Sequence, residues 1–180
     1  MPREQFTLAP SRPAARAAER LFRRERLRIQ RRLPGAVIHH VGATSVRNLP
    51  TKGDLDIVVR VAPSELAAAD RALSGLYNRN TKNTRTDEFS SFLNNDTSPP
   101  LGVQLVAIGS EHDDFDLLRD QLRVSPLCRR KLARLKHRFH GRSMSRYRSA
   151  KAILIAEISV KEPLATLLAT RRSRSKQPKT

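Results

Sequence analysis

The sequence predicts an α+β (or α/β) fold: a mixed β-sheet with flanking helices and a helical C-terminal half. Three observations predict it. An Arg-rich amphipathic stretch comes first, short runs of apolar or alternating residues follow, and helical periodicity takes over from Asp113 onward. At 180 residues one domain is the default, and 38% hydrophobic residues suffice for a core. A chain of this size buries roughly 70% of its unfolded surface.

Residues 1–10 carry no period and are expected to be a flexible N-terminus. Ser11 and Pro13 signal a helix start, Ala14, Ala18, Leu21 and Phe22 supply an apolar stripe, and Pro34-Gly35 stops it. Ala36 to Val41 reads as a strand, Gly42 to Pro50 as a turn, and Asp54 to Val61 as a second strand. Pro63-Ser64-Glu65 opens an Ala/Leu helix expected to end near Tyr77, followed by a polar loop from Asn78 to Arg85. Thr86 to Leu93 and Gly102 to Ile108 are further strands, separated by a turn-rich linker from Asn94 to Pro100. Three C-terminal helices are marked by Phe115, Leu118 and Leu122, then Leu127, Leu132, Leu135 and Phe139, then Met144, Tyr147, Leu154 and Ile158. Residues 11–168 are read as a single domain and 169–180 as a disordered basic tail.

The chain has 35 Lys+Arg against 17 Asp+Glu, a formal net charge of +18. The excess is unevenly distributed. Residues 1–32 hold ten basic and three acidic groups, residues 119–151 hold twelve and one, and residues 33–118 hold seven and eleven. A basic frame thus surrounds an acidic centre. The lone Cys128 excludes an internal disulfide and points to a reducing, cytoplasmic setting. Apolar runs of four to five residues are far below the ~18–20 needed for a membrane span, and no apolar leader follows Arg3. His39 and His40 lack a second His or Cys at zinc-like spacing.

The stretch richest in chemistry is His40-Val41-Gly42-Ala43-Thr44-Ser45, followed by Asp54-Leu55-Asp56. Alternate strand residues share a face, so Asp54 and Asp56 lie roughly 6.6 Å apart along the backbone. Two carboxylates at that spacing repel by roughly 2.5 kcal/mol at an effective dielectric near 20, so a cation is expected between them, either a divalent metal or Lys52. Mg²⁺ (or Mn²⁺) takes such oxygen ligands together with substrate phosphates. Gly42 lets a backbone approach a phosphate, and Thr44 and Ser45 are expected to offer hydroxyl donors.

The segments His40 to Val46 and Thr51 to Asp56 resemble the GrpB family, a branch of the nucleotidyltransferase superfamily. Phe115-x-x-Leu118-Arg119-Asp120-x-Leu122-Arg123, Leu135-Lys136 and Tyr147-x-x-x-Lys151 extend the resemblance over Leu21 to Ile158. It implies a nucleotidyltransferase-like mixed sheet, a Gly-Ser turn holding nucleotide phosphates, and Asp54 and Asp56 as Mg²⁺ ligands. Ala43 stands where the superfamily often has Ser, and Gln104 stands where its third carboxylate, the usual general base, would lie. Gln104 cannot accept a proton, so Glu111, Asp113 or Asp114 must replace it, or the metal alone activates the acceptor, or the site binds without catalysing. Lys52, Lys136 and Lys151 are expected to meet the phosphates of a nucleoside triphosphate; the acceptor is unspecified. The alternative is a non-catalytic nucleic-acid-binding or regulatory module using the basic helices and tail.

Overall fold

The computed structural model describes residues 4–159. Its centre is a five-stranded mixed sheet in the order β2-β3-β6-β5-β4, built from β2 (Val37–Val41), β3 (Leu55–Val61), β4 (Asn78–Arg79), β5 (Phe89–Asn94) and β6 (Leu101–Ala107). β3 and β6 run parallel, and the other neighbours are antiparallel. The helix α1 (Ser11–Arg32) precedes the sheet, and α2 (Leu66–Ser74) provides the crossover after β3. A C-terminal set follows: α3 (Phe115–Val124), α4 (Pro126–Phe139) and α5 (Met144–Ser159). Among the described residues no helix is long and apolar enough to cross a membrane.

The alternation along β3 determines what each face of the sheet can do. Leu55, Ile57, Val59 and Val61 point to the main core, where Ala18, Leu21 and Ile29 of α1 and Leu66 and Leu73 of α2 cover them. Each fully buried aliphatic side chain contributes about 1.5–3 kcal/mol. The opposite face carries Asp56, Val58 and Arg60. Val58 joins Val41, Phe89 and Val106 in a second cluster, and the buried Arg60 makes two bonds to Asp113, at 2.5 and 2.8 Å. Polar groups on this face are therefore anchored or directed toward the C-terminal helices, whose Leu122, Cys128, Leu132 and Ile158 pack together with Val46 and Leu49 of the turn after β2.

Three expectations need correction. The stretch before Ser11 is ordered from Glu4: β1 (Gln5–Phe6) pairs with β7 (Arg142–Ser143), and Phe6 is fully buried against Met144 and Tyr147. The predicted helix after β3 opens as a 3₁₀ turn at Pro63–Glu65, and its α-helical part ends at Ser74, where Gly75 caps it. Asn78–Arg79 is a short strand instead of loop. Asp70 holds it there by accepting two bonds from Arg79, and that guanidinium lies 5.3 Å from the Phe92 ring centroid. The expected tail at 169–180 and the domain limit at 168 lie outside the described residues.

Candidate functional site

A cavity of about 710 Å³ lies where β3 and β6 begin on the polar face of the sheet, roofed by α4 and α5. Lys52, Asp54, Asp56 and Gln104 line its floor, and Lys136, Tyr147 and Lys151 reach it from the helices. Much of the remaining wall is apolar, including Phe6, Leu118, Leu122 and Ile155.

Asp56 is held between two glycines. It pairs with Val41 on β2 and with Gly102 on β6, which brings Gly42 and Gly102 against its carboxylate. A Cβ on Gly42 would lie 2.2 Å from Asp56 Oδ2, and one on Gly102 would lie 3.1 Å from Oδ1. Gly42 also has φ +73°, a conformation that side-chain-bearing residues rarely adopt. The glycine turn therefore makes room for the carboxylate, a role that the one-dimensional motif does not reveal.

Burial, and next the neighbouring Asp54, push the Asp56 carboxyl up to about 6, against the pull of Lys151, Lys52 and Lys136. Lys52 answers the repulsion on one side only, with Nζ 2.9 Å from Asp54 Oδ2. Burial works against the Lys52 charge, but the Asp54 carboxylate outweighs it and holds the ammonium above its ordinary value. Lys136, only 4% exposed, is pushed down to about 8 by burial and by Lys151, and its Nζ lies 5.9 Å from the Phe6 ring centroid. Tyr147 stacks on Phe6 with centroids 3.8 Å apart. Burial, then Asp54 and Asp56, raise its phenol well above the usual value.

The hydroxyl expectation is corrected. Thr44 is buried; its Oγ1 donates to the carbonyl of Asp54 and lies 3.0 Å from His40 Nε2. Ser45 Oγ donates to the carbonyl of Gly42 at 2.7 Å, and Ser45 lines a separate cavity. The short 3₁₀ turn Ala43–Ser45 uses both protons internally, so neither is offered to the cleft. The acidic trio divides in the same way. Glu111 is exposed and Asp113 is committed to Arg60, whereas Asp114 lines the cavity, with its carboxyl raised by burial.

Among the described residues no three His, Cys, Asp or Glu side chains converge as a metal site. The oxygen donors are the two carboxylates; Gln104 lines the same cleft with Nε2 toward Gly102, and its Oε1 is buried without a hydrogen-bond partner. The carboxylates are hard oxygen donors, with Asp56 under-compensated, and they suit a Mg²⁺-sized cation that completes its shell with phosphate oxygens and water. Sequence reasoning missed Gly102, Phe6 and the apolar wall. Only the glycine carried a signal, as an isolated Gly at a strand start that marks close approach.

The model of the GrpB protein family matches residues 12–161. A UPF0157 protein from Vibrio cholerae is 37% identical over 143 residues, covering 79% of this chain and 76% of that protein. The crystal structure of the conserved protein GrpB from Enterococcus faecalis superposes with a TM-score of 0.64 and 20% identity, covering 84% of this chain and 94% of that one. That likeness concerns the fold alone. A MgGTP-bound crystal structure of the Cid1 poly(U) polymerase aligns with a TM-score of 0.45 and 12% identity over 68% of this chain and 41% of that one, too partial a likeness to carry chemistry across.

Proposed function

The chain belongs to the GrpB family, and from that premise we propose that its cleft binds a nucleoside triphosphate with Mg²⁺ and transfers a nucleotidyl group to an acceptor. The observation that carries this reading is the placement of Asp54 and Asp56 in one cavity with Lys52, Lys136 and Lys151. Asp54 and Asp56 would hold the metal, which when bound would polarise the phosphoryl oxygens and shield their charge.

The other roles fall to the chain itself. Lys136 and Lys151 face the carboxylates from the helical roof and neutralise the outer phosphates. The apolar wall at Leu118, Leu122 and Ile155 excludes water and accommodates the nucleoside. Asp114, the one of the three acidic candidates that lines the cavity, has a carboxyl raised by burial, which suits a group that receives the acceptor's proton. Gln104 orients and does not titrate.

The test combines binding with transfer. Thermal unfolding of the parent protein with 1 mM ATP, GTP, CTP or UTP is expected to show stabilisation that requires Mg²⁺ or Mn²⁺ and is lost in Asp54→Asn/Asp56→Asn. Incubation with α-labelled triphosphates and fractionated lysate is expected to label an acceptor with the parent only. Identical nucleotide stabilisation of parent and double variant would overturn the reading.

A further inference from the structure

Two further cavities flank the turn that leaves the site. One, of about 380 Å³, is lined by Arg12 and Arg16 of α1 and by Arg47. The other, of about 780 Å³, is lined by Arg47 again and by Arg123, Arg129 and Arg130. Arg47 belongs to both, so the two concavities form one path around residues 45–49, and neither is lined by an Asp or Glu.

The excess of arginine leaves guanidiniums elsewhere without an ion pair too, Arg26, Arg31, Arg32 and Arg71 among the described residues, while Arg23 faces Glu19, Arg60 faces Asp113, Arg79 and Arg85 face Asp70, and Arg148 faces Glu4. What sets the path apart is that its arginines converge on two adjoining concavities instead of standing singly on the surface. Along this path, Arg12, Arg16, Arg47 and Arg130 are exposed and have no ion pair among the described residues. Arg129 is oriented by the carbonyls of Leu122 and Arg123, at 2.9 and 2.6 Å. Arg123 donates to the carbonyl of Ser45 and meets a single carboxylate, Asp120, at 3.4 Å. Carbonyl dipoles fix a guanidinium without cancelling its charge.

We propose that this arginine path binds the phosphodiester backbone of a polynucleotide. Planar guanidinium forks bind phosphate oxygens in pairs, and a run of such forks matches a ligand whose charge repeats along its length. Small aliphatic side chains such as Ala15, Val46 and Ala133 complete the lining, with no aromatic ring for a base to stack on. Recognition therefore falls on the backbone and is independent of base sequence. Ala43 and Leu49 line both the path and the central cleft, so a bound strand reaches the rim of that cleft. Resting on the reading of the cleft given above, this makes a strand end the acceptor.

The experiment measures anisotropy of a labelled 15-nucleotide RNA, the same sequence as single-stranded DNA, and a 15-residue polyglutamate, with the full chain at 20–300 mM KCl. Four to six phosphate contacts to a single strand give a log–log salt slope of about −3 to −4. Arg16→Ala/Arg47→Ala/Arg130→Ala is expected to weaken binding tenfold or more and to make the slope shallower by about 2. Arg31→Ala/Arg32→Ala/Arg71→Ala removes the same charge from exposed positions outside both cavities and is expected to change neither quantity. Equal binding of RNA and DNA assigns the shared backbone; preference for RNA adds a 2′-hydroxyl contact to it. Equal losses in the two triple variants, polyglutamate binding as tight as nucleic acid, or no binding at all would overturn the proposal. Mg²⁺-nucleotide stabilisation of the Arg16/Arg47/Arg130 variant is measured in parallel, so failure of the path and failure of the cleft are read separately.

Discussion

A methyl group on Gly42 would press into Asp56 Oδ2 at 2.2 Å, and the backbone there sits at φ +73°. These are separate penalties, and they can be measured separately. The backbone at φ +73°, ψ −171° lies in a region essentially confined to glycine and costs an L-residue about 1–3 kcal/mol, and overpacking against a fixed neighbour adds about 1–3. Gly42→Ala is therefore expected to lose about 2–6 kcal/mol in urea unfolding, but less in an Asp56→Ala background, where the 2.2 Å contact with the carboxylate is gone and only the backbone share and the 3.0 Å approach to the remaining Cβ of residue 56 persist. Additivity of the two substitutions to within about 0.5 kcal/mol would show that Gly42 does not serve to admit the carboxylate. The same residues show what could be read from the chain alone. Asp54 and Asp56 were legible because strand period places them on one face, and Lys136 and Lys151 because they match the family's C-terminal pattern; all four line one cavity. Thr44 and Ser45 were misread because hydroxyl direction is decided by a three-residue 3₁₀ turn that has no sequence period. The role of Gly102 depends on the β3–β6 register, a pairing across 46 residues of chain.

At the scale of elements, legibility tracks length. The 22-residue α1, the alternating β3 and the three C-terminal helices announce themselves by period. Two-residue strands cannot, and β1 was taken for a free end because its partner, β7, lies more than 130 residues away. Phe6 is what makes this short strand matter. It is fully buried, stacks on Tyr147 and forms part of the cleft wall under Lys136. Phe6→Ala should cost about 3–5 kcal/mol by chemical denaturation, the range for deleting a buried aromatic ring. Leu127→Ala, at a side chain 51% exposed, should stay within about 0.5 kcal/mol. If Phe6→Ala costs less than about 1 kcal/mol, the N-terminal segment does not wall the cleft in solution. Because Phe6 supports Tyr147 and not the carboxylates, its loss is also expected to weaken nucleotide binding without removing the metal requirement.

Across the whole molecule, the cations behind the +18 charge include those paired with acids, those lining the path around residues 45–49, those over the carboxylates, and exposed ones such as Arg31, Arg32 and Arg71 that have no ion pair among the described residues. The cations over the carboxylates make the ligand-free fold carry a cost near neutral pH. Burial pushes Asp56 up to about 6 and Lys136 down to about 8, so between these values both are charged in the folded state, each at a cost relative to the unfolded chain. For Asp56 the folded state keeps a proton that the unfolded chain loses from about pH 4, so stability falls as pH rises to about 6. For Lys136 the unfolded chain keeps its proton up to its ordinary value near 10.5, while the folded state releases it above about 8. Stability is regained across that window as pH rises, and below about 8 the cost is fully present. Lys136→Met removes the buried charge at nearly constant volume. It is expected to be more stable than the parent at pH 7 in EDTA, with the difference shrinking between pH 8 and 10. A cation–π contact of about 0.5–1 kcal/mol to Phe6 is lost in the exchange and sets the size of gain that must be exceeded. A Met variant less stable than the parent at pH 7, or a gain unchanged at pH 10, would show that the Lys136 charge is already compensated in the fold. If the gain appears and saturating Mg²⁺-nucleotide reverses it, the charge that destabilises the empty molecule is the charge that the triphosphate satisfies.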